Sequence, residues 1–541
     1  MQDIYVADKL KICLQECMQT LVKENVRVPL VYDKIQEALE RLSQPMQLAI
    51  IGKISSSKST LVNAILGKEE VVRTGQMEET FNVSWLKYGD SNSDIKVVFK
   101  NGEIKYVPNK NWAIWASHQH DNILKEQVKY IEVFYNDNIL KKINIIDTPG
   151  LDALSEIDSK NTISFLKEVK PDAVIMLFTK SIAESTFSIL QDFQNVGSNT
   201  FSLTPLNAIG VLAKVDTMWT SMNPQNDVLA DAKQVIQHTL YDKYPEIKRS
   251  LFSILPVSSL LGLSSSTITD SDFDIIKKLS KIEACTLNEM LSSPDLLIDE
   301  DYKVGVTIAE RLALYHKFGL YGIYLLVDAI RRNPNYNLDE IKGLLKDKSG
   351  FDKLFSTIIA HFGDRAALIK SQNTIVSVIE ACKQASLYYN GDSEHKAIKS
   401  ITREITTTLL SIHEFQEWRF LTDIYENPSI YEDIEVNEFK ALCGEYGGSA
   451  IERLQLPIGT SVSEMIQTIR NRSLYWRKRY NIYSDIDPHK AALYKVILSS
   501  YNALQQRVES AYTEAQNAEA KLNYAREFLL GLKTKIYCEI V

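Results

Sequence analysis

Apolar residues recur with three different spacings along the chain. Over Tyr5–Lys23 and Val31–Leu42 they fall at three- and four-residue steps with polar faces between, which predicts two amphipathic helices. From 47 to 259 the pattern changes to short apolar runs that read as strands of a mostly parallel sheet: Gln47–Ile51, Ile143–Asp147, Ala173–Phe178, Ala208–Leu212 and Ile254–Ser259. Phe81–Tyr88 alternates apolar and polar and predicts a further strand. From Arg365 onward the spacing is helical again, with sparse breaks at Gly391, Pro428, Gly444–Gly448, Pro457 and Pro488. Lys490–Leu530 has neither glycine nor proline and carries Leu493, Val496, Ile497, Tyr501, Leu504 and Val508 at helical steps. A helix of that length is a rod of about 60 Å, stable only when bundled.

These patterns predict an α/β domain over 46–365, preceded by helices at 1–45 and followed by an extended α-helical bundle at 366–541. The leading helices need something to pack on, and helix from the far end of the chain is the obvious partner. The helix expected to close the sheet is Ser349–His361, which leaves 260–348 as a mostly helical insertion. Within it, Phe318–Val327 is the nearest approach to a membrane segment. It is cut by Asp328, Arg331 and Arg332, and a buried helix is the preferred reading.

The chemistry sits at the strand ends. Gly52-Lys-Ile-Ser-Ser-Ser-Lys-Ser59 follows the first strand and has the spacing of a phosphate-binding loop, G-x-x-x-x-G-K-[ST]. Such a loop wraps a phosphate chain in consecutive backbone N–H groups at a helix N-terminus. Gly52 opens the turn, Ser55, Ser56, Ser57 and Thr60 complete the cradle, Lys58 reaches the outer phosphates and Ser59 is placed to ligate Mg²⁺. Ser57 stands where the second glycine is usual.

Alone, that string is a weak signal, but three further elements follow in order. Asp147-Thr-Pro-Gly150 ends an apolar strand, so Asp147 can hold Mg²⁺ through water and the Gly150 N–H can sense a γ-phosphate. Ala213-Lys-Val-Asp216 resembles the [NT]-K-x-D element that reads guanine: Asp216 would accept from the ring N–H and exocyclic amine, and the Lys214 stem would lie over the base. Ala213 departs from the usual Asn or Thr. Ile254–Ser259, with Ser258, fits the last strand and its base-facing loop. Between the first two elements, Thr80 is the candidate for a mobile threonine completing Mg²⁺ ligation, with Thr74 as fallback.

Composition narrows the setting. Net charge is −8 over 541 residues, which argues against nucleic-acid binding and against bulk attraction to anionic lipid. Six cysteines show no C-x-x-C or metal-binding spacing, so a reduced cytoplasmic location fits, with peripheral contact at the inner face of a membrane left open. The cluster Trp476-Arg-Lys-Arg-Tyr480 could touch phosphate headgroups; a solvated face with its aromatics turned inward is the preferred reading.

The GTPase-like motifs, the preceding helices and the long helical tail together resemble the dynamin superfamily, and the tail narrows the resemblance to bacterial dynamin-like proteins. Ser55–Gly67, His361–Lys370, Ile412–Arg419 and Cys443–Gly448 with Arg453-Leu454 carry the likeness, which spans nearly the whole chain. The variety linked to enterotoxin and vesicle secretion is one open alternative within it. The resemblance implies a P-loop GTPase domain with a helical neck and trunk, GTP and GDP with Mg²⁺ as ligands, and self-association through the GTPase domain. It also implies a second dynamin-like subunit as a possible partner. Ser55 matches a serine that helps organise a charge-compensating monovalent cation and the attacking water, whereas Ile54 stands where eukaryotic dynamins have a glutamine. Two functions are therefore carried forward: a GTPase coupling hydrolysis to self-association and stalk movement in membrane remodelling or vesicle release, and a slow or inactive nucleotide-binding scaffold serving another dynamin-like subunit.

Overall fold

In the computed structural model the described residues are 2–23, 26–53, 56–69, 71, 82–109, 112, 115, 127–149, 169, 171–179, 205–244, 247–363, 365–389 and 392–540. Two compact units emerge, Met1–Thr402 and Arg403–Val541.

The first unit is built on a nine-stranded sheet. Its strands are β1 (Met46–Gly52), β2 (Ser84–Tyr88), β3 (Ile95–Phe99), β4 (Ile104–Val107), β5 (Val128–Tyr135), β6 (Ile143–Asp147), β7 (Ala173–Phe178), β8 (Ala208–Leu212) and β9 (Ile254–Pro256). The order is β4-β3-β5-β2-β6-β1-β7-β8-β9. β1 pairs in parallel with β6 and β7, and the parallel set continues through β8 to β9. β2 runs antiparallel to β6, and β3 antiparallel to both β4 and β5. β1, β6, β7 and β8 are buried along their whole length, as strands covered on both faces must be, and this is why each reads as an unbroken apolar run. β3, β4 and β5, which carry the sheet beyond β2, are strands that the sequence reading did not single out.

Helices α1 (Gln2–Lys23) and α2 (Pro29–Ser43) precede the sheet, and α3 (Lys58–Leu66) follows β1. Beyond β9 come α4 (Ser259–Thr267), α5 (Ile308–Arg332), α6 (Leu338–Lys348), α7 (Phe351–Thr357) and α8 (Ala366–Tyr388). α1 and α2 pack along α8, which follows the sheet domain directly. Arg41 at the end of α2 pairs with the buried Asp172 at 3.0 Å, and the Asp172 carboxylate also accepts from the Gln47 N–H at 2.9 Å, fastening α2 to the start of β1. The buried Lys370 donates from α8 to the Gln44 carbonyl at 2.6 Å, and burial holds its pKa below the usual lysine range.

Residues 260–348 do not form a separate lobe. α4 packs on α3, α5 and α6, and Leu261, Phe318, Ile323, Ile341 and Leu345 share one hydrophobic core with Ala49, Ile146 and Val174 of the sheet. At α4 the fit is close: a Cβ on Gly262 would stand 3.0 Å from the Phe351 ring.

The second unit contains α9 (Asp392–Ser411) from Arg403 onward, then α10 (His413–Glu426), α11 (Asp433–Leu442), α12 (Val462–Tyr483) and the 53-residue α13 (Pro488–Ile540). α13 packs against α10, α11 and α12. Trp476, Tyr494 and Tyr501 are buried in this bundle. In the basic cluster of α12, then, Trp476 turns inward and Arg479 pairs with Glu432 at 2.8 Å and the buried Glu435 at 3.2 Å, while Arg477 and Lys478 face solvent. Arg453 staples the glycine turn after α11, donating to the carbonyls of Leu442 at 3.0 Å and Gly448 at 3.2 Å. Among the described residues, no helix is long and apolar enough to cross a membrane.

Candidate functional site

The phosphate loop lies at the carboxyl end of β1, with β6 on one side and β7 on the other. That is the topological switch point of an open α/β sheet, where ligands bind. Gly52 leaves β1 with no room for a side chain: a Cβ there would stand 2.7 Å from Ser56 Oγ and 2.9 Å from Leu177 Cβ. Ser57 caps α3 at φ 66°, ψ 30°, a left-handed conformation that glycine adopts without cost. Lys58 Nζ lies back over the loop, donating to the carbonyls of Lys53 at 2.8 Å and Gly52 at 3.1 Å. Ser59 Oγ donates to Asp147 Oδ2 at 3.4 Å, and both groups are buried. Thr148 Oγ1 donates to the Ile50 carbonyl at 2.9 Å, fixing the turn after β6 against β1.

The residues present fit a magnesium-bound phosphate chain. A serine hydroxyl beside a carboxylate is the hard-oxygen donor set that Mg²⁺ takes. The buried Ser56 Oγ has no hydrogen-bond partner among the described residues, and the space a Cβ would fill at Gly52 keeps the loop close to the strand. Ser55, Thr80 with its fallback Thr74, and Gly150 lie outside the described residues.

On the other side of Ser57 and Thr60 opens a cavity of about 430 Å³. Lys214 and Asp216 line one wall, and Tyr315, His316, Gly319, Leu320 and Tyr321 of α5 line another. Lys214 sits in the left-handed region at φ 56° and so turns the chain sharply at the end of β8. Burial pushes the Asp216 carboxyl above the usual range, while the Ser258 hydroxyl and the Lys214 charge pull it back. Ser258 is wholly buried and also caps α4, accepting from the Leu261 N–H at 3.2 Å; its neighbour Ser259 is the one that lines the cavity. Trp219 stacks on Tyr324 with ring centroids 5.0 Å apart and lies 6.2 Å from Tyr321. Burial, followed by the charges of Asp227 and Asp216, pushes the Tyr321 hydroxyl up to about 12.

Of the residues predicted from sequence, the structure brings Ser57, Thr60, Lys214 and Asp216 to one cavity and sets Lys58, Ser59 and Asp147 together beside it. The α5 wall was missed. Its trace in the sequence is a pair of glycines, Gly319 and Gly322, interrupting an apolar helical run.

A mostly parallel sheet with a glycine-serine loop feeding a buried lysine and serine, an acidic strand end beside them and a Lys-x-Asp wall defines a P-loop nucleotide-binding domain of the GTPase type. Residues 48–214 match the dynamin family model. The isoniazid-induced protein IniC of Mycobacterium tuberculosis is 24% identical over 456 residues, covering 83% of this chain and 88% of that protein. Dynamin-like protein 2 of Campylobacter jejuni is 31% identical over 137 residues, 25% of this chain and 22% of that protein. A solved structure of an oligomerised bacterial dynamin pair, described as providing a mechanism for long-range sensing and tethering of membranes, aligns over 95% of this chain and 78% of its own at 15% identity and TM-score 0.32. Over residues 48–214 the chain thus carries a dynamin-type domain, and it is similar to bacterial dynamin-like proteins, relatives within a family of GTPases.

Proposed function

We propose that this chain binds GTP with Mg²⁺, hydrolyses it, and couples the cycle to self-association and to movement of its helical neck and trunk in membrane remodelling or vesicle release. The observation that carries the reading is the contact of Ser59 with Asp147, 3.4 Å apart and buried at the ends of the adjacent elements that leave β1 and β6. A magnesium-ligating hydroxyl and the carboxylate behind it need that adjacency.

In this reading the loop Gly52–Thr60 cradles the phosphates and Lys58 exchanges its two carbonyl partners for the outer phosphates. Ser59 and Thr80, with Asp147 behind, would hold Mg²⁺, which would supply charge neutralisation at the transferred phosphoryl group. Gly150 would report the γ-phosphate, and Ser55 would help hold a monovalent cation and the attacking water. Water attacks in line, with no covalent intermediate, so the protein's contribution is positioning and electrostatics. Asp216, kept in place by Ser258, accepts from the guanine edge, and Lys214 covers the base. A second dynamin-like subunit and peripheral contact at the inner face of a membrane, from a cytoplasmic location, belong to the same proposal.

One observation favours a slow nucleotide-binding partner subunit instead: Ser57 occupies a left-handed position with no side-chain cap to offset it. Phosphate release from GTP and from ATP, by wild type and Lys58→Ala across a range of protein concentrations, separates the two. Turnover that is selective for GTP, requires Lys58 and rises per molecule with concentration supports the self-associating GTPase. Turnover no greater than that of folded Lys58→Ala supports the partner subunit.

A further inference from the structure

α5 is not one continuous helix. At Gly319 the backbone takes φ 65°, ψ 176°, a region essentially closed to residues with a side chain. Packing on both sides imposes the break. Phe318 is fully buried before it, and Tyr321 is buried against Trp219 after it. Gly322, one turn on, has no room to relax, since a Cβ there would stand 2.7 Å from Leu261 Cδ2. The Lys317 carbonyl, next to the break, accepts from Ser264 Oγ, and Lys317 Nζ donates to the Thr267 carbonyl at 2.7 Å. The break is therefore held from α4, whose N-terminal residue Ser259 lines the cavity and whose cap Ser258 hydrogen-bonds Asp216.

The break leaves bare backbone facing the Lys-x-Asp wall. A Cβ on Gly319 would stand 3.9 Å from Asp216 Oδ2. That is an ordinary contact distance, with Leu260 Cδ2 nearer at 3.5 Å. Gly319 and Asp216 line one cavity, and a ring nitrogen donating to that oxygen comes to about 2.9 Å of it, so a side chain at 319 would share that space with the ring. We infer that Gly319 is a specificity-determining position: the broken turn of α5 forms the second wall of a purine site and admits a guanine edge to Asp216 because it carries no Cβ. This rests on the reading of Asp216 as the guanine acceptor given above. Leu320, beside the break, borders the same space.

Calorimetric titration of the full chain with GDP and with ADP, in Mg²⁺ buffer, tests it. Wild type is expected to prefer GDP. Gly319→Ala, with an unchanged far-UV spectrum, is expected to lose about tenfold or more in GDP affinity and much less for ADP, which does not engage Asp216. Leu320→Trp fills the same space without touching the glycine, and the same selective loss is expected should Gly319→Ala not fold. GDP affinity within about twofold of wild type in the folded variants, or an equal loss for both nucleotides, overturns the wall while leaving the nucleotide reading intact. Wild type that binds neither nucleotide overturns both.

Discussion

Replacing Ser57 by glycine should make the first unit more stable. Ser57 is buried, sits at φ 66°, ψ 30°, and makes no side-chain cap to its own helix. An L-residue in the left-handed region gives up about 1–2 kcal/mol unless a short polar side chain bonds locally, and that compensation is missing as a helix cap. Glycine removes this cost but adds about 0.5–1 kcal/mol of unfolded-state entropy. The difference leaves a net gain of about 0.5–1 kcal/mol, equivalent to about 0.5–1 °C in melting temperature for a unit of this size, so the urea midpoint is the more sensitive reading. Thermal and urea melts of wild type and Ser57→Gly, read on the transition of the nucleotide-binding unit, measure it. Ser57→Val brackets the result from the other side, because a β-branched residue suits this backbone worse than serine. A Ser57→Gly protein no more stable than wild type, or a Ser57→Val protein equal to it, would refute the claim that the loop stores strain at this residue.

Guanine-nucleotide affinity should fall on acidification earlier than an ordinary aspartate would make it fall. Burial holds the Asp216 carboxyl above its usual 3.8 in the free protein, and a base that donates to the carboxylate binds only the ionised form. Affinity is thus full well above that raised value and declines as pH drops through it; a GDP titration series flat down to the usual aspartate range would count against the assignment. In the second unit, Glu417 accepts from Ser500 at 2.7 Å and pairs with His413 at 3.1 Å. Burial opposes the charge on both groups, yet the pair holds His413 above its usual 6.5 and Glu417 below its usual 4.5. The raised histidine contributes stability below 6.5 that is lost as pH rises through its folded value; the depressed glutamate contributes above 4.5 and loses it on acidification. Glu417→Gln should therefore cost on the order of 1–3 kcal/mol, most of it between those limits, and a urea-midpoint loss that is constant from mildly acid to alkaline pH would sink the linkage.

The sequence by itself determined the class of fold and singled out the local part of the candidate site. A buried parallel strand must be apolar along its length, so β1, β6, β7 and β8 were legible as runs. A loop that wraps phosphate needs its glycine, lysine and hydroxyl within a few residues of one another, so Gly52, Lys58 and Ser59 could be found by spacing alone. Tertiary structure decided what lies far apart in the chain. β3, β4 and β5 extend the sheet through pairing partners that no local pattern names. Residues 260–348 read as an insertion, yet they supply about half the walls of the cavity, because α4 packs on α3 as well as on α5, and Leu261, Phe318 and Tyr321 join one core with Trp219 and the sheet. Ser258 is placed under Asp216 by the start of α4, a relation invisible in the order of residues. Gly319 shows the division most clearly. In the sequence it is one of two glycines in an apolar helix; in the folded chain, burial on either side fixes it in a conformation only glycine can hold, and it lines the cavity.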